Sequence, residues 1–205
     1  MRIKTYNSEV VQVPKYPIKI DGENLDIPNN LLVIHNPQAN DFQFKITNFE
    51  GTELFRSKNG EVVSDINNNP IFNIVSMFGT TKIFKGKKDK EVLVSLSKKD
   101  SNAVMNYSIN INNQFNGDNE TLEMNCDKLY CSCGIFQGKE IDNSPMICKI
   151  TEILNANSFE TNSFSQFTIE IPANVDSVLV LALSMFFVNE SIRNKYRRFE
   201  KTYIR

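Results

Sequence analysis

Between Asp41 and Thr47 the apolar residues Phe42, Phe44 and Ile46 alternate with the polar residues Gln43, Lys45 and Thr47. In an extended chain this alternation puts all three apolar side chains on one face of a strand. Met105, Tyr107, Ile109 and Ile111 alternate with Asn106, Ser108 and Asn110 in the same way. Shorter strand candidates lie at 9–13, 17–20, 31–35, 53–57, 61–66, 70–76, 81–85, 90–96, 121–125, 128–136, 145–150 and 165–171. Turn chemistry separates them: Asp21-Gly22, Glu50-Gly51, Asn59-Gly60, Asn67-Asn68-Asn69-Pro70, Lys85-Gly86, Asn116-Gly117-Asp118 and Asp142-Asn143-Ser144-Pro145. Such residues accept a positive φ at low steric cost, so strand–turn–strand hairpins are predicted. No helical period intervenes, which points to an all-β sandwich or barrel and away from βαβ units.

The period changes after Pro172-Ala173-Asn174. A helix is predicted over about 176–198, capped by Asn174 or Asp176, with its body starting near Val178. Its first turns, Val178 to Val188, are apolar on every side. Eleven residues of helix rise about 16 Å against a hydrocarbon core of about 30 Å, so no transmembrane span is predicted. A helix that is apolar all round must be enclosed by protein. One face of an open sheet covers about half of its circumference, whereas a closed barrel covers all of it.

The succession Phe42-Gln43-Phe44-Lys45-Ile46-Thr47-Asn48-Phe49-Glu50-Gly51, then Val62 to Ile74, then Thr81-Lys82-Ile83-Phe84-Lys85-Gly86, resembles the LURP-one-related (LOR) family. So do Gly134-Ile135, Ile141-Asp142, Met146 to Ile150, and above all Phe167 to Asp176 followed by the apolar helix. The resemblance covers about 31–190. It implies a mainly β fold shared with tubby C-terminal domains and phospholipid scramblases, a twelve-stranded closed β-barrel around a hydrophobic C-terminal helix. Residues 1–30 are then an extension that packs on or leads into the barrel, and 191–205 a basic tail. The strand candidates outnumber twelve, so some are expected to be loops or split strands.

Composition narrows the chemistry. The chain has 205 residues, 40% of them apolar, enough for a core without disulfides or metal. His35 is the sole histidine and glycines number eight. Walker A, G-x-G-x-x-G and G-x-S-x-G motifs are absent from the sequence. Cys126, Cys131, Cys133 and Cys148 lack paired C-x2-C knuckles, and Leu129, Cys131, Cys133 and Ile135 would share one inward strand face. They are read as buried free thiols. A calcium-loop pattern over 112–123 lacks the first aspartate and reads as a polar hairpin turn. His35 with a cysteine carries no recognisable nucleophile signature. No cofactor, metal or catalytic residue is predicted, and the chain is read as a non-enzyme. The N-terminus, Met1 to Asn7, has no apolar signal region, so reduced thiols and a cytoplasmic location are expected, with the nucleus left open.

Charge adds one candidate site. Net charge is −1, which argues against a dominant nucleic-acid field. Against this background stand two basic islands. Lys82, Lys85, Lys87, Lys88 and Lys90 face a single Asp89, and Arg193, Lys195, Arg197, Arg198, Lys201 and Arg205 face a single Glu200. Kinship with tubby domains implies peripheral binding of anionic phospholipid, phosphoinositide above all. The lipid-phosphate contacts would be Lys82, Lys85, Lys87, Lys88, Arg193, Arg197 and Arg198. The alternatives are a protein-interaction or structural barrel with no lipid ligand, its charges a solvated turn and tail, and, ranked lower, a lipid scramblase. A monomer with an unidentified protein partner is expected.

Overall fold

The computed structural model describes residues 5–21, 31–36, 42–87, 90–99, 105–153 and 165–203. Twelve antiparallel strands form a closed barrel. They are β1 (Leu31–Asn36), β2 (Phe44–Asn48), β3 (Glu53–Ser57), β4 (Val62–Asp65), β5 (Pro70–Met77) and β6 (Thr80–Lys85). The circuit continues through β7 (Val92–Lys99), β8 (Met105–Asn113), β9 (Asp118–Cys126), β10 (Ser132–Phe136), β11 (Met146–Ile153) and β12 (Ser165–Glu170). Consecutive strands pair, and β1 closes the circle on β12 from Leu31 opposite Glu170 to Asn36 opposite Ser165. The alternation of the sequence becomes inside and outside. Leu32, Ile34, Ile46, Ile83, Ile109 and Met124 are fully buried in the lumen.

One helix, α1 (Ser177–Tyr203), runs up the barrel. Every residue from Val178 to Val188 is buried, and the enclosing wall explains how a segment without a polar face is stable in water. Aromatic edges lock it to the wall. Phe187 meets Phe167 at 6.0 Å and Phe186 meets Tyr107 at 5.1 Å, both near perpendicular. Its N-cap is Asp176. One carboxylate oxygen accepts from the amides of Val178 (2.8 Å) and Leu179 (3.2 Å), the other from Ile20 (3.0 Å) and Asp21 (3.3 Å). Asn174 instead turns the chain at φ 67°. No Gly or Pro interrupts the sequence after Asn189, and the helix continues past Arg198 to Tyr203. At about 1.5 Å per residue it is about 40 Å long, longer than the barrel wall, so its last turns project.

Two expected strands, 9–13 and 17–20, are not strands. A closed barrel offers no free edge for them to pair with. The segment from Thr5 to Asp21 is instead an irregular strap on the outside. Tyr6 is fully buried against Phe136 and Met146, and Ile18 and Ile20 join the main core below α1. Gly134 makes room for the strap, since a Cβ there would lie 2.9 Å from Tyr6 Cδ1. The expected strand 128–136 begins only at Ser132. Asp127 gathers the preceding residues into a turn, accepting from the amides of Leu129 (2.7 Å), Cys131 (3.0 Å) and Ser132. Leu129 is therefore exposed and Cys131 only half-buried, while Cys133 and Ile135 do face the lumen.

Candidate functional site

The strand directions sort every loop onto one of two rims. The lower rim, where α1 starts, carries the β2–β3, β4–β5, β6–β7, β8–β9 and β10–β11 connections. The upper rim, where α1 emerges, carries the β3–β4, β5–β6, β7–β8 and β9–β10 connections. The two basic islands fall on opposite rims. Lys82 is exposed midway along β6, Lys85 and Lys87 lie at its lower end, and Lys88 lies outside the described residues. Lys85 is committed to a 2.8 Å ion pair with buried Asp21. Arg193, Arg197 and Arg198 sit at the upper end of α1. The six described positions therefore do not converge on one site, because Arg193, Arg197 and Arg198 sit at the upper end of α1 and Lys82, Lys85 and Lys87 lie midway along β6 and at its lower end.

The upper rim gathers cations that no local charge run announces. Lys58 comes from the β3–β4 turn, Lys98 and Lys99 from the end of β7, and Lys128 from the β9–β10 turn, all exposed. Lys195, Arg197 and Arg198 are exposed on the projecting part of α1. Three carboxylates of this rim are already engaged, Glu190 with Arg193 at 3.0 Å, Glu152 with Lys195, and buried Asp127 within its own turn, while Glu61 of the β3–β4 turn is exposed. Arg198 donates to the Lys128 carbonyl at 2.8 Å, which draws two of the elements together. The C-terminal end of α1 carries the negative end of the helix dipole, which favours cations there. The lower rim is mixed, with exposed Glu50, Glu91 and Asp118 beside Lys87 and Lys90.

One open groove of about 820 Å³ lies between the strap and the lower rim. Val11, Val13, Leu31, Phe49, Ile171 and Pro172 make it apolar, and Glu50 and Glu170 are its carboxylates. Glu170 is paired with Lys149 at 2.8 Å. Among the described residues the lining holds no thiol, imidazole or hydroxyl nucleophile.

A sequence model of the LURP-one-related family matches residues 32–188, from the first strand to the buried part of α1. The chain belongs to the LURP-one-related family. Its fold is similar to that of an Arabidopsis thaliana protein solved by X-ray crystallography, with a TM-score of 0.53 and 16% identity over 88% of this chain and 97% of that one. That likeness is one of fold. A search of curated protein sequences returns no match.

Among the described residues the titratable groups of this LURP-one-related barrel do not assemble a nucleophile. His35 faces outward from β1, with Nε2 3.1 Å from Thr47 Oγ1 and Nδ1 3.2 Å from the Gln166 amide nitrogen. Burial, and then the positive Lys45 opposite it, hold the imidazole below its ordinary value. Cys126 and Cys133 touch across the β9–β10 ladder, sulfur to sulfur at 3.5 Å. Burial pushes the Cys133 and Cys148 thiols up, and Cys131 is pushed up to about 11 by burial and then by Glu152. Near neutral pH Cys131, Cys133 and Cys148 therefore rest as thiols, the form that does not attack carbon. The Asn112–Glu123 stretch is the β8–β9 hairpin, where the Asn113 amide donates to Glu120 (2.6 Å) and to the Pro17 carbonyl (2.9 Å). Among the described residues no helix is long and apolar enough to cross a membrane, and no cluster of His, Cys, Asp and Glu has metal-site form.

Proposed function

We propose that this LURP-one-related chain is a non-catalytic binding barrel that docks peripherally, upper rim first, on anionic phosphate-bearing membrane. The observation that carries the reading is the gathering of exposed Lys58, Lys98, Lys99, Lys128, Arg197 and Arg198 from four separate elements at one end. Each cation near an anionic bilayer contributes about 1 kcal/mol, so such a set supports reversible attachment at physiological salt. The lower-rim lysines play a lesser part, since Lys85 is neutralised by Asp21 and Lys87 and Lys90 share their rim with exposed Glu50, Glu91 and Asp118. Lipid translocation is not part of the reading, because Val178 to Val188 would have to leave the lumen that buries them.

The test is sedimentation with vesicles of phosphatidylcholine alone or with phosphoinositide added. Retention on the anionic vesicles that falls with salt, and that drops in the double variant Arg197→Glu/Arg198→Glu but not in Lys87→Glu/Lys90→Glu, is the expected outcome. Equal retention on both vesicle types, or none on either, overturns it. A second reading, docking of an apolar protein segment, is favoured by the groove beside Val13 and Phe49, which are 59% and 73% exposed. A captured partner that is lost on Phe49→Asp, with no lipid retention, would put that reading first.

A further inference from the structure

The β5–β6 hairpin closes at the upper rim in a two-residue turn, Phe78-Gly79, after the pair Met77 and Thr80. Both turn residues have positive φ, 48° for Phe78 and 82° for Gly79. This is the backbone of a tight hairpin turn whose first central position favours Asn, Asp or Gly. A bulky residue there is an outlier, and no packing compensates it: Phe78 is 101% exposed and Met77 61%. The aromatic ring is thus held out into solvent by a rigid hairpin, at a position where an aromatic works against the turn. Beside it, β7 pairs with β6 up to Ser97 opposite Thr80, so exposed Lys98 and Lys99 continue alongside the tip.

We propose that Met77 and Phe78 form an interfacial anchor that enters the headgroup and acyl boundary of a membrane while Lys98 and Lys99, on the β7 side of the tip, contact anionic headgroups. An apolar tip with cations along one edge complements a bilayer surface, which is negative at the phosphates and apolar just below. A ring at that depth leaves water without requiring a preformed pocket. The proposal rests on the membrane reading above and adds to it a contribution that salt does not screen.

The chain contains no tryptophan, so Phe78→Trp creates a single fluorescent reporter at the tip. On vesicles of phosphatidylcholine with phosphoinositide, its emission should move to shorter wavelength and be quenched by lipids brominated near the headgroup end of the acyl chain. The second variant, Phe78→Asn, suits the turn and should fold with an unchanged or higher melting temperature. It should bind the same vesicles about tenfold more weakly at high salt, the loss expected for about one buried aromatic contact. Unshifted Trp emission on vesicles that do retain the protein, with Phe78→Asn binding as well as the parent, overturns the anchor and leaves electrostatic docking standing; the tip would then face a protein. Failure of the parent chain to bind any vesicle overturns both.

Discussion

Asn189 of α1 donates its amide to the carbonyl of Gly60 in the β3–β4 turn at 2.7 Å, and a Cβ on Gly60 would stand 2.6 Å from Asn189 Oδ1. The contact ties the enclosed helix to the upper rim at the level where its apolar stretch ends. It uses the one residue type that fits, because Gly60 has φ 73° and is buried against Phe42 as well. Gly60→Ala is expected to destabilise the fold by about 2 kcal/mol or more through left-handed strain and the clash. The urea midpoint of the variant measures it, and a midpoint within error of the parent would mean that the turn and the helix are not coupled.

Ser191 gives the opposite sign. It is completely buried on α1, and its hydroxyl meets no hydrogen-bond partner among the described residues. Replacing it with alanine removes an unpaired polar group and improves helix propensity, so Ser191→Ala should gain about 1 kcal/mol. A loss of stability in the same denaturation experiment would reveal a partner for the hydroxyl.

Stability should fall in mild acid because of His35. With Gln166 donating to Nδ1 and Nε2 donating to Thr47, the neutral ring fits its site and the protonated ring would turn an N–H toward another donor. Its folded value lies below the ordinary 6.5. The unfolded chain therefore takes up the proton first as pH falls, and the stability that the neutral ring contributes is present above about 6.5 and lost below it. Denaturation midpoints at pH 7.5 and pH 5 should differ less in His35→Gln than in the parent. Identical pH dependence in the two chains would show that the ring is not the group responsible.

Thiol accessibility follows the barrel wall. Cys126, Cys133 and Cys148 are buried and Cys131 is half-buried, all four as free thiols. At neutral pH a thiol reagent should label Cys131 slowly and the other three only after unfolding, with all four released by denaturant. Rapid native labelling of Cys133 would contradict its place in the lumen.

The period-two alternation of Phe42 to Ile46 and Met105 to Ile111 was sufficient to read strands, since a strand alternates whatever it pairs with. The apolar run Val178 to Val188 was sufficient to demand an enclosure. What misled was equally specific. Segments 9–13 and 17–20 have strand-like composition, but composition does not record that every ladder edge is already taken. Leu129 belonged by period to the inward face of a strand, and a single buried carboxylate, Asp127, took its backbone into a turn. For the candidate site, runs of lysine and arginine were visible because they are contiguous in the chain. The rim cations Lys58, Lys98, Lys99 and Lys128 were not, since each is an ordinary surface residue until the hairpins are stacked. Phe78 escaped because an aromatic residue is no turn signal.

Hydrophobic period and length, which are local properties, therefore determined by themselves that this chain is a set of hairpin-connected strands with one helix that must be enclosed, and the LURP-one-related family was legible only as a resemblance of residue runs. The tertiary structure alone decided which end of the barrel each charge occupies, which lysines are neutralised by a carboxylate and which apolar side chains are left outside. Those outcomes depend on ring closure and strand direction, which bring residues tens of positions apart onto one rim and send neighbours in sequence to opposite ends.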